Sequence, residues 1–307
     1  MSTIKEQEGA TRADSAAGAI GRRGFLLAAG GGLLSLAVTR RLNGQAASAT
    51  MEHGMKRRRL ERVGVQLYTI RDAIERDLDS SLGRVAAIGY REVELAGYHG
   101  HSPADFRAAL DRHGLAAPST HIAMERVRDD LPRVLEEAHV LGNSYVVCPN
   151  IADEKSGLDG YRRAAEILNE AGAVSKRNGV TIGYHNHGTE LHVIDGVRPY
   201  DVILERTDPA LVAMEMDIYW LVTGGGDPLV YFAKYPGRFR MVHVKDMAGD
   251  AAHTMVDVGS GVIDWKGIFA RSGEAGIEHY FVEHDEPKDA FASIAASYAY
   301  LSRLDFR

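Results

Sequence analysis

The sequence predicts an α/β fold, a parallel eight-stranded (β/α)8 TIM barrel, on the strength of three observations. From about residue 61, short apolar, β-branched runs alternate with amphipathic stretches. Strands that alternate with helices form βαβ units around a parallel sheet. There are eight such units, the number that closes a barrel. A doubly wound open sheet is the alternative, but no glycine-rich nucleotide fingerprint follows the first strand.

The elements follow one another regularly along the chain. Strands are predicted over 63–68, 91–96, 116–121, 144–149, 180–185, 211–217, 239–244 and 279–284. Helical patterns between them include 103–114, 129–142, 158–179 and 264–276. Several helical stretches end on a glycine, which adopts the left-handed conformation that closes a helix at little cost. These glycines are Gly89, Gly114, Gly142, Gly179 and Gly276.

The residues before the barrel resemble an export signal. Arg22 and Arg23 precede an apolar run from Phe25 to Val38, shorter than the roughly 20 residues that span a bilayer. "ASA" at 47–49 supplies a small-residue cleavage site. The arginine pair is similar to a twin-arginine signal, with an ordinary secretory signal or an uncleaved anchor as alternatives. The export machinery is thus a predicted partner, and the mature protein is expected in the periplasm without a stable membrane anchor.

The chain therefore divides into an export signal at 1–49, a linker at 50–60 and a barrel domain at 61–307.

The net charge of −6 disfavours a nucleic-acid binder, which needs a concentrated basic surface. The local basic run "KRRR" at 56–59 falls in the linker and is interpreted as a solvated tether. A single cysteine, Cys148, excludes an intramolecular disulfide framework.

Ionisable side chains gather where the predicted strands end, the face at which such barrels carry their active sites. His185, Asp217, His243 and Glu283 are separated by 32, 26 and 40 residues, each roughly one βα unit. One such histidine is more often a hydrogen-bonded core residue, but four ligand-type side chains in register favour a metal site. The mixed N/O set suits one divalent ion, Mn, Zn, Co or Mg, with Mn or Zn favoured. Few protein ligands leave positions open for substrate, as in catalytic sites.

The fifth strand offers alternatives for this site. In "GYHNHGTE" (183–190), His185 and His187 point to the same side of an extended chain, with Glu190 just behind. The sequence leaves open which of these three side chains binds the metal.

Seven segments, in order, resemble the sugar phosphate isomerase/epimerase family within the xylose isomerase-like TIM barrel superfamily. They are "GVQLYT" (64–69), "GYREVEL" (89–95), "GYHNH" (183–187), "EMDIYW" (215–220), "VHVKD" (242–246), "VGSGVIDW" (258–265) and "YFVEHD" (280–285). The resemblance implies a divalent cation bound at the ends of strands five to eight, which map to His185, Asp217, His243 and Glu283. It also implies a small carbohydrate substrate and allows a homodimer. His185 stands where the family usually has a carboxylate.

That departure bears on the expected reaction. A metal-bound imidazole has no free lone pair to move a proton, so two-base epimerisation is disfavoured relative to one-base chemistry. The resemblance implies an isomerase/epimerase-type enzyme that forms an enediolate on a free sugar, keto-sugar or inosose. The alternatives are a lyase or dehydratase acting by β-elimination on 3-keto-glycosides, and a catalytically degenerate periplasmic sugar-binding barrel. An endonuclease IV-type phosphodiesterase is disfavoured by the negative charge and by Trp220, where that group carries another histidine.

Further side chains receive candidate roles beside the metal. The catalytic candidates are Glu283 as ligand and base, Lys245 on a substrate hydroxyl or oxyanion, Glu94 and His187. The substrate-binding candidates are Tyr68, His121, Trp220 and Glu190. A surface salt bridge to Asp246 is the alternative for Lys245.

Overall fold

Ten strands form in the part of the chain that the structure, a computed structural model, describes, residues 57–151 and 153–307. They are β1 (Gly64–Gln66), β2 (Glu92–Leu95), β3 (Ala116–His121), β4 (Tyr145–Cys148), β5 (Thr181–His185), β6 (Val212–Asp217), β7 (Phe239–Val244), β8 (Asp246–Met247), β9 (Met255–Val256) and β10 (His279–Val282). Eight of them close a parallel barrel in the order β1-β10-β7-β6-β5-β4-β3-β2. The predicted (β/α)8 barrel is therefore confirmed. The other two, β8 and β9, pair as an antiparallel hairpin.

Helices connect the barrel strands. They are α1 (Arg71–Arg76), α2 (Leu78–Ile88), α3 (Pro103–His113), α4 (Met124–Asp129), α5 (Leu131–Leu141), α6 (Leu158–Ser175), α7 (Pro199–Arg206), α8 (Ile218–Thr223), α9 (Pro228–Lys234), α10 (Trp265–Ala270), α11 (Ser272–Ala275) and α12 (Ala290–Leu301). The helix predicted at 264–276 is two helices, α10 and α11, separated at Arg271. The five predicted closing glycines all have positive φ, between 64° and 127°. At Gly89 a Cβ would also lie 2.5 Å from the Tyr298 ring.

The barrel interior changes from apolar to polar along its axis. A small cluster fills its lower part, made of Tyr145, Val147, Ala213, Met241 and Phe281. Two residues further along three of these strands, the same inward side carries Glu215, His243 and Glu283, because alternate residues of a strand share a face. The interior is thus a packed core with ionisable groups at its C-terminal end.

The first described residues lie against the end of the chain. Arg58 and Phe306 exchange backbone hydrogen bonds of 2.9 and 3.1 Å, and Arg59 Nε lies 2.5 Å from Asp305 Oδ1. The predicted export signal at 1–49 lies outside the described residues. Within the described part, the helices are too short or too polar to cross a membrane.

The loop between β9 and α10 is tied to β8 by Asp246, which is fully buried. Both carboxylate oxygens accept hydrogen bonds. The donors are the backbone N–H groups of Met247, Gly259, Gly261 and Ile263, at 2.8 to 3.3 Å, and Trp265 Nε1 at 3.0 Å. Asp246 therefore satisfies donors from the "VGSGVIDW" segment that burial would otherwise leave unpaired.

We expect Asp246→Asn to lower the free energy of unfolding by about 3 kcal/mol, because whichever way the amide turns, its NH2 group faces backbone donors. Urea unfolding followed by circular dichroism measures the change. Asp250→Asn is the control, since Asp250 is exposed and accepts hydrogen bonds from nearby residues such as Thr254. Equal losses in the two variants would contradict the assigned role of Asp246.

Candidate metal centre and active site

Three imidazole rings converge on one buried carboxylate, Glu215. Its Oε2 lies 2.7 Å from His121 Nε2, 3.1 Å from His185 Nδ1 and 3.3 Å from His243 Nε2. Burial alone would raise the pKa of Glu215, but His243 and His121 hold it well below its usual value. Glu215 was not assigned by the sequence analysis. The signal was available, because Glu215 precedes Asp217 by two residues and shares its inward side.

A second buried carboxylate, Glu94, supports His243 from β2. Glu94 Oε2 lies 2.7 Å from His243 Nε2 and accepts a 2.8 Å hydrogen bond from Gln66 Nε2. Glu94 Oε1 accepts from the Ser119 hydroxyl. Glu94 is fully buried and thus orients a ring; it does not face a substrate as the sequence analysis expected of a catalytic residue.

The four predicted ligands lie together at the ends of β5, β6, β7 and β10. Asp217 Oδ2 lies 3.8 Å from His185 Nε2 and 3.9 Å from His243 Nδ1. Glu283 Oε2 lies 2.7 Å from His243 Nδ1. In Asp217, His243 and Glu283, one ligand atom of each lies within 4.8 Å of the others.

The orientation of the His185 and His243 rings explains why the four predicted ligands suit a metal ion. His185 Nδ1 and His243 Nε2 face the buried carboxylates Glu215 and Glu94, which leaves His185 Nε2 and His243 Nδ1 on the side of Asp217. Histidines that bind metals usually hydrogen-bond a carboxylate through the other nitrogen. Asp217 Oδ2 is itself buried, and its contact with Lys245 Nζ, 3.0 Å away, is an ion pair without hydrogen-bond geometry.

The charges of the His185 and His243 rings differ. Burial, reinforced by His243, lowers the pKa of His185 well below its usual value, so His185 is neutral, the form that binds metals. Burial also acts to lower the pKa of His243, but Glu215 and Glu283 raise it well above the usual value. For His121, Glu94 and Glu215 outweigh burial and raise the pKa to about 9.

A second possible ligand group shares His243. It consists of His121, His185, Glu215 and His243, again with one ligand atom of each within 4.8 Å of the others. In this group Glu215 already contacts all three rings through one oxygen, so the carboxylate holds the position that an ion would need. Glu215 therefore orients the rings, and the Asp217 side is the better candidate for holding an ion.

Lys245 is buried beside the same carboxylates. Its Nζ lies 3.0 Å from Asp217 Oδ2, 2.7 Å from Glu283 Oε2 and 2.8 Å from Asp285 Oδ1. Burial opposes the charge, but these three carboxylates hold the pKa of Lys245 well above its usual value. The expected alternative, a surface salt bridge to Asp246, is wrong because Asp246 anchors the loop described above. Asp285 was missed by the sequence analysis, although it directly follows the predicted last strand.

An open cavity of about 790 Å³ lies over this group. Its lining contains seven of the predicted site residues, Tyr68, His121, His185, His187, Trp220, Lys245 and Glu283. Met255 and Thr254 from the hairpin, together with His284 and Glu286, complete part of its wall. The volume is in the range of small-molecule sites.

The strand-five alternatives separate in the structure. His185 is the one of the three that reaches Asp217. His187 lines the cavity, with its ring centroid 4.8 Å from that of His185 and 6.3 Å from that of Trp220. Glu190 is buried and accepts hydrogen bonds from the Tyr184 hydroxyl at 2.7 Å and from His187 N at 3.1 Å. Glu190 thus supports the loop that carries His187 and takes no place in the cavity wall.

We expect Glu215→Gln to weaken metal binding by about 10- to 100-fold, because the amide no longer fixes the ring nitrogens of His185 and His243. The dissociation constant is measured by competition with a chromophoric chelator. Glu286→Gln is the matched control, since Glu286 is an exposed carboxyl at the cavity wall. Unchanged affinity in Glu215→Gln would contradict the assigned orienting role.

Comparison with known proteins gives the context of this site. An inosose dehydratase from Geobacillus kaustophilus is 27% identical over 261 residues, which cover 70% of this chain and 82% of the relative. A sugar phosphate isomerase/epimerase from Parabacteroides distasonis superposes with a TM-score of 0.70 at 26% identity, covering 84% of this chain and 97% of that one. The IOLI protein, whose structure holds a zinc atom, shares the fold, with a TM-score of 0.61 at 17% identity over 78% of this chain and 95% of that one.

The family model described as xylose isomerase-like TIM barrel matches residues 82–302. That match includes the four predicted ligands and confirms the family resemblance of the sequence motifs. The chain belongs to the xylose isomerase-like TIM barrel family.

Proposed function

We propose that this protein is a divalent-metal-dependent carbohydrate enzyme that removes a proton from the carbon next to a carbonyl group. The observation that carries the proposal is the pair of rings, His185 and His243, each held by a buried carboxylate and each turning its other nitrogen toward Asp217. Such support is typical of metal ligands. The adjoining open cavity offers room for a small molecule.

The site residues divide the work between metal binding and proton transfer. His185, Asp217, His243 and Glu283 would hold the ion, which when bound polarises a carbonyl and stabilises negative charge on its oxygen. Glu283 is also the proposed base. Burial would raise its pKa, but Lys245 and His243 hold it well below the usual value, so the carboxylate is ionised, the form that a base and a metal ligand both require.

The cavity wall is suited to a sugar-like substrate. Trp220 and Tyr68 both line it, and Tyr68 is exposed to solvent. Sugar rings present apolar C–H faces that aromatic side chains cover well, while polar groups fix their hydroxyls. His187, placed between His185 and Trp220, is the proposed contact for such a hydroxyl.

Two continuations of the proton transfer fit the site. In an isomerase the proton returns to a neighbouring carbon; in a dehydratase a hydroxyl leaves from the carbon beyond. His185 is in the position where the family usually carries a second carboxylate, which favours one-base chemistry over two-base epimerisation. Inosose dehydratases and sugar isomerases/epimerases both occur among the relatives, which supports both continuations and leaves the choice to experiment.

The test is exchange of the substrate proton with deuterated water, followed by NMR on an inosose and on a free ketose. We expect metal-loaded protein to catalyse exchange next to the carbonyl, and Glu283→Gln to slow it at least about a hundredfold. A product whose mass differs from that of the substrate only by the incorporated deuterium identifies an isomerase. A product that has lost one water molecule and absorbs in the near ultraviolet identifies a dehydratase.

Metal analysis accompanies this test. Purified protein should hold about one divalent ion per chain, and Asp217→Ala should lose it. Metal content of Glu283→Gln is measured in parallel, so that a lost base is distinguished from a lost ion, and Glu286→Gln serves as control. Substrate binding without metal or exchange would instead favour a sugar-binding barrel.

We also propose that the protein is exported to the periplasm through its Arg22-Arg23 segment. A periplasmic address would favour free or oxidised sugars over phosphorylated intermediates. We expect the double variant Arg22→Lys, Arg23→Lys to accumulate as full-length protein in the cytoplasm, because the arginine pair is what a twin-arginine signal requires. Cell fractionation and the mass of the secreted form measure this. Normal export of the variant would point to an ordinary secretory signal.

A further inference from the structure

Lys245 contacts the same oxygens that the proposed metal ion would use. Nζ lies 3.0 Å from Asp217 Oδ2 and 2.7 Å from Glu283 Oε2. Asp217 is fully buried and Glu283 is almost so, with 6% of its side chain exposed. Two buried carboxylates so close together repel each other unless a cation lies between them. The ammonium group of Lys245 supplies that cation from within the chain.

A divalent ion and an ammonium group cannot share these two oxygens without strong mutual repulsion, since like charges a few ångströms apart interact strongly where solvent is excluded. Lys245 has a third partner, however. Asp285 Oδ1 lies 2.8 Å from Nζ, and its side chain is 26% exposed, at the cavity wall. The backbone of Asp285 is fixed by Arg71, because its carbonyl accepts a 3.0 Å hydrogen bond from Arg71 Nη1.

We propose that Lys245 is a built-in competitor for the metal ion, and that Asp285 is the carboxylate that retains its ammonium group when the ion binds. Lys245 neutralises Asp217 and Glu283 in the metal-free protein and then keeps only Asp285. Lys245 thereby lowers the metal affinity, and Asp285 raises it. This inference rests on the metal site of the proposed function, and it adds two positioning residues to that site.

The exchange also places a positive charge at the cavity wall. Lys245 lines the cavity, and its Nζ lies 5.9 Å from the centre of the Trp220 ring, close enough for a favourable contact with the ring face. Once the ion has taken over Asp217 and Glu283, the ammonium group is left between Asp285 and Trp220. That is where the oxygen atoms of a polyhydroxylated substrate would meet it.

The test measures the zinc dissociation constant by competition with a chromophoric chelator in four proteins, the wild type, Lys245→Met, Asp285→Asn and the double variant. We expect Lys245→Met to bind zinc about tenfold more tightly and Asp285→Asn about tenfold more weakly, a coupling of ordinary size. In the Lys245→Met background, Asp285→Asn should change the affinity little, because there is no ammonium group left to retain.

The controls separate this exchange from a general effect of charge. Glu286→Gln removes a carboxylate next to Asp285 that also lines the cavity, and Lys266→Met removes an exposed lysine elsewhere. If Glu286→Gln weakens zinc binding as much as Asp285→Asn, or if Asp285→Asn has the same effect with and without Lys245, the proposal is overturned.

Circular dichroism establishes that each variant is folded before titration. If metal-free Lys245→Met does not fold, Asp285→Asn decides alone: weaker zinc binding supports the proposal and unchanged binding overturns it. Wild-type protein that binds no zinc, manganese or cobalt would refute the metal site itself. Wild-type protein that binds metal with an affinity insensitive to both substitutions would refute only the competition.

Discussion

The burial of Glu215 among three imidazole rings is the interaction on which the rest of the site depends. An ionised carboxylate inside a barrel is costly unless charges or hydrogen bonds compensate it, and His121, His185 and His243 provide that compensation. The Glu215 carboxylate also determines which nitrogen of each ring faces it. His185 Nε2 then faces Asp217, and His243 Nδ1 faces Asp217 and Glu283. The geometry of the proposed ligands therefore follows from the contacts of Glu215 beneath them.

The same constraint accounts for Lys245. At the C-terminal end of the barrel interior, four carboxylates lie within 3.9 Å of a ring nitrogen of His243, more negative charge than the rings can offset when His185 is neutral. They are Glu94, Glu215, Asp217 and Glu283. A lysine ammonium group bridging Asp217, Glu283 and Asp285 reduces the excess. Removing one partner of such a buried network is more damaging than replacing the whole network. A divalent ion bound there would relieve the same excess, which is the basis of the proposed link between metal affinity and Lys245.

Membership of the xylose isomerase-like family accounts for the scaffold but not for the reaction, since a barrel supports many chemistries through its strand ends and loops. This chain carries an imidazole where the family usually has its strand-five carboxylate. Its cavity is bounded by Tyr68 and Trp220, and by the β8–β9 hairpin, whose following loop the Asp246 network ties to β8. The reaction on such a scaffold is set by local features of this kind and not by the fold.

The sequence by itself determined the barrel, its strands and the strand ends at which ionisable side chains gather, because strand periodicity, closing glycines and strand-end residues are local signals along the chain. It also placed His187, Trp220 and Tyr68 near the site. Only the tertiary structure decided that Glu215 orients the rings, that Glu94 supports His243, that Glu190 stabilises a loop, and that Lys245 pairs with three carboxylates instead of Asp246. The contacts of Glu215, Glu94 and Lys245 join residues 28 to 149 positions apart, and partners across a barrel depend on the register and tilt of its strands, which no local pattern encodes.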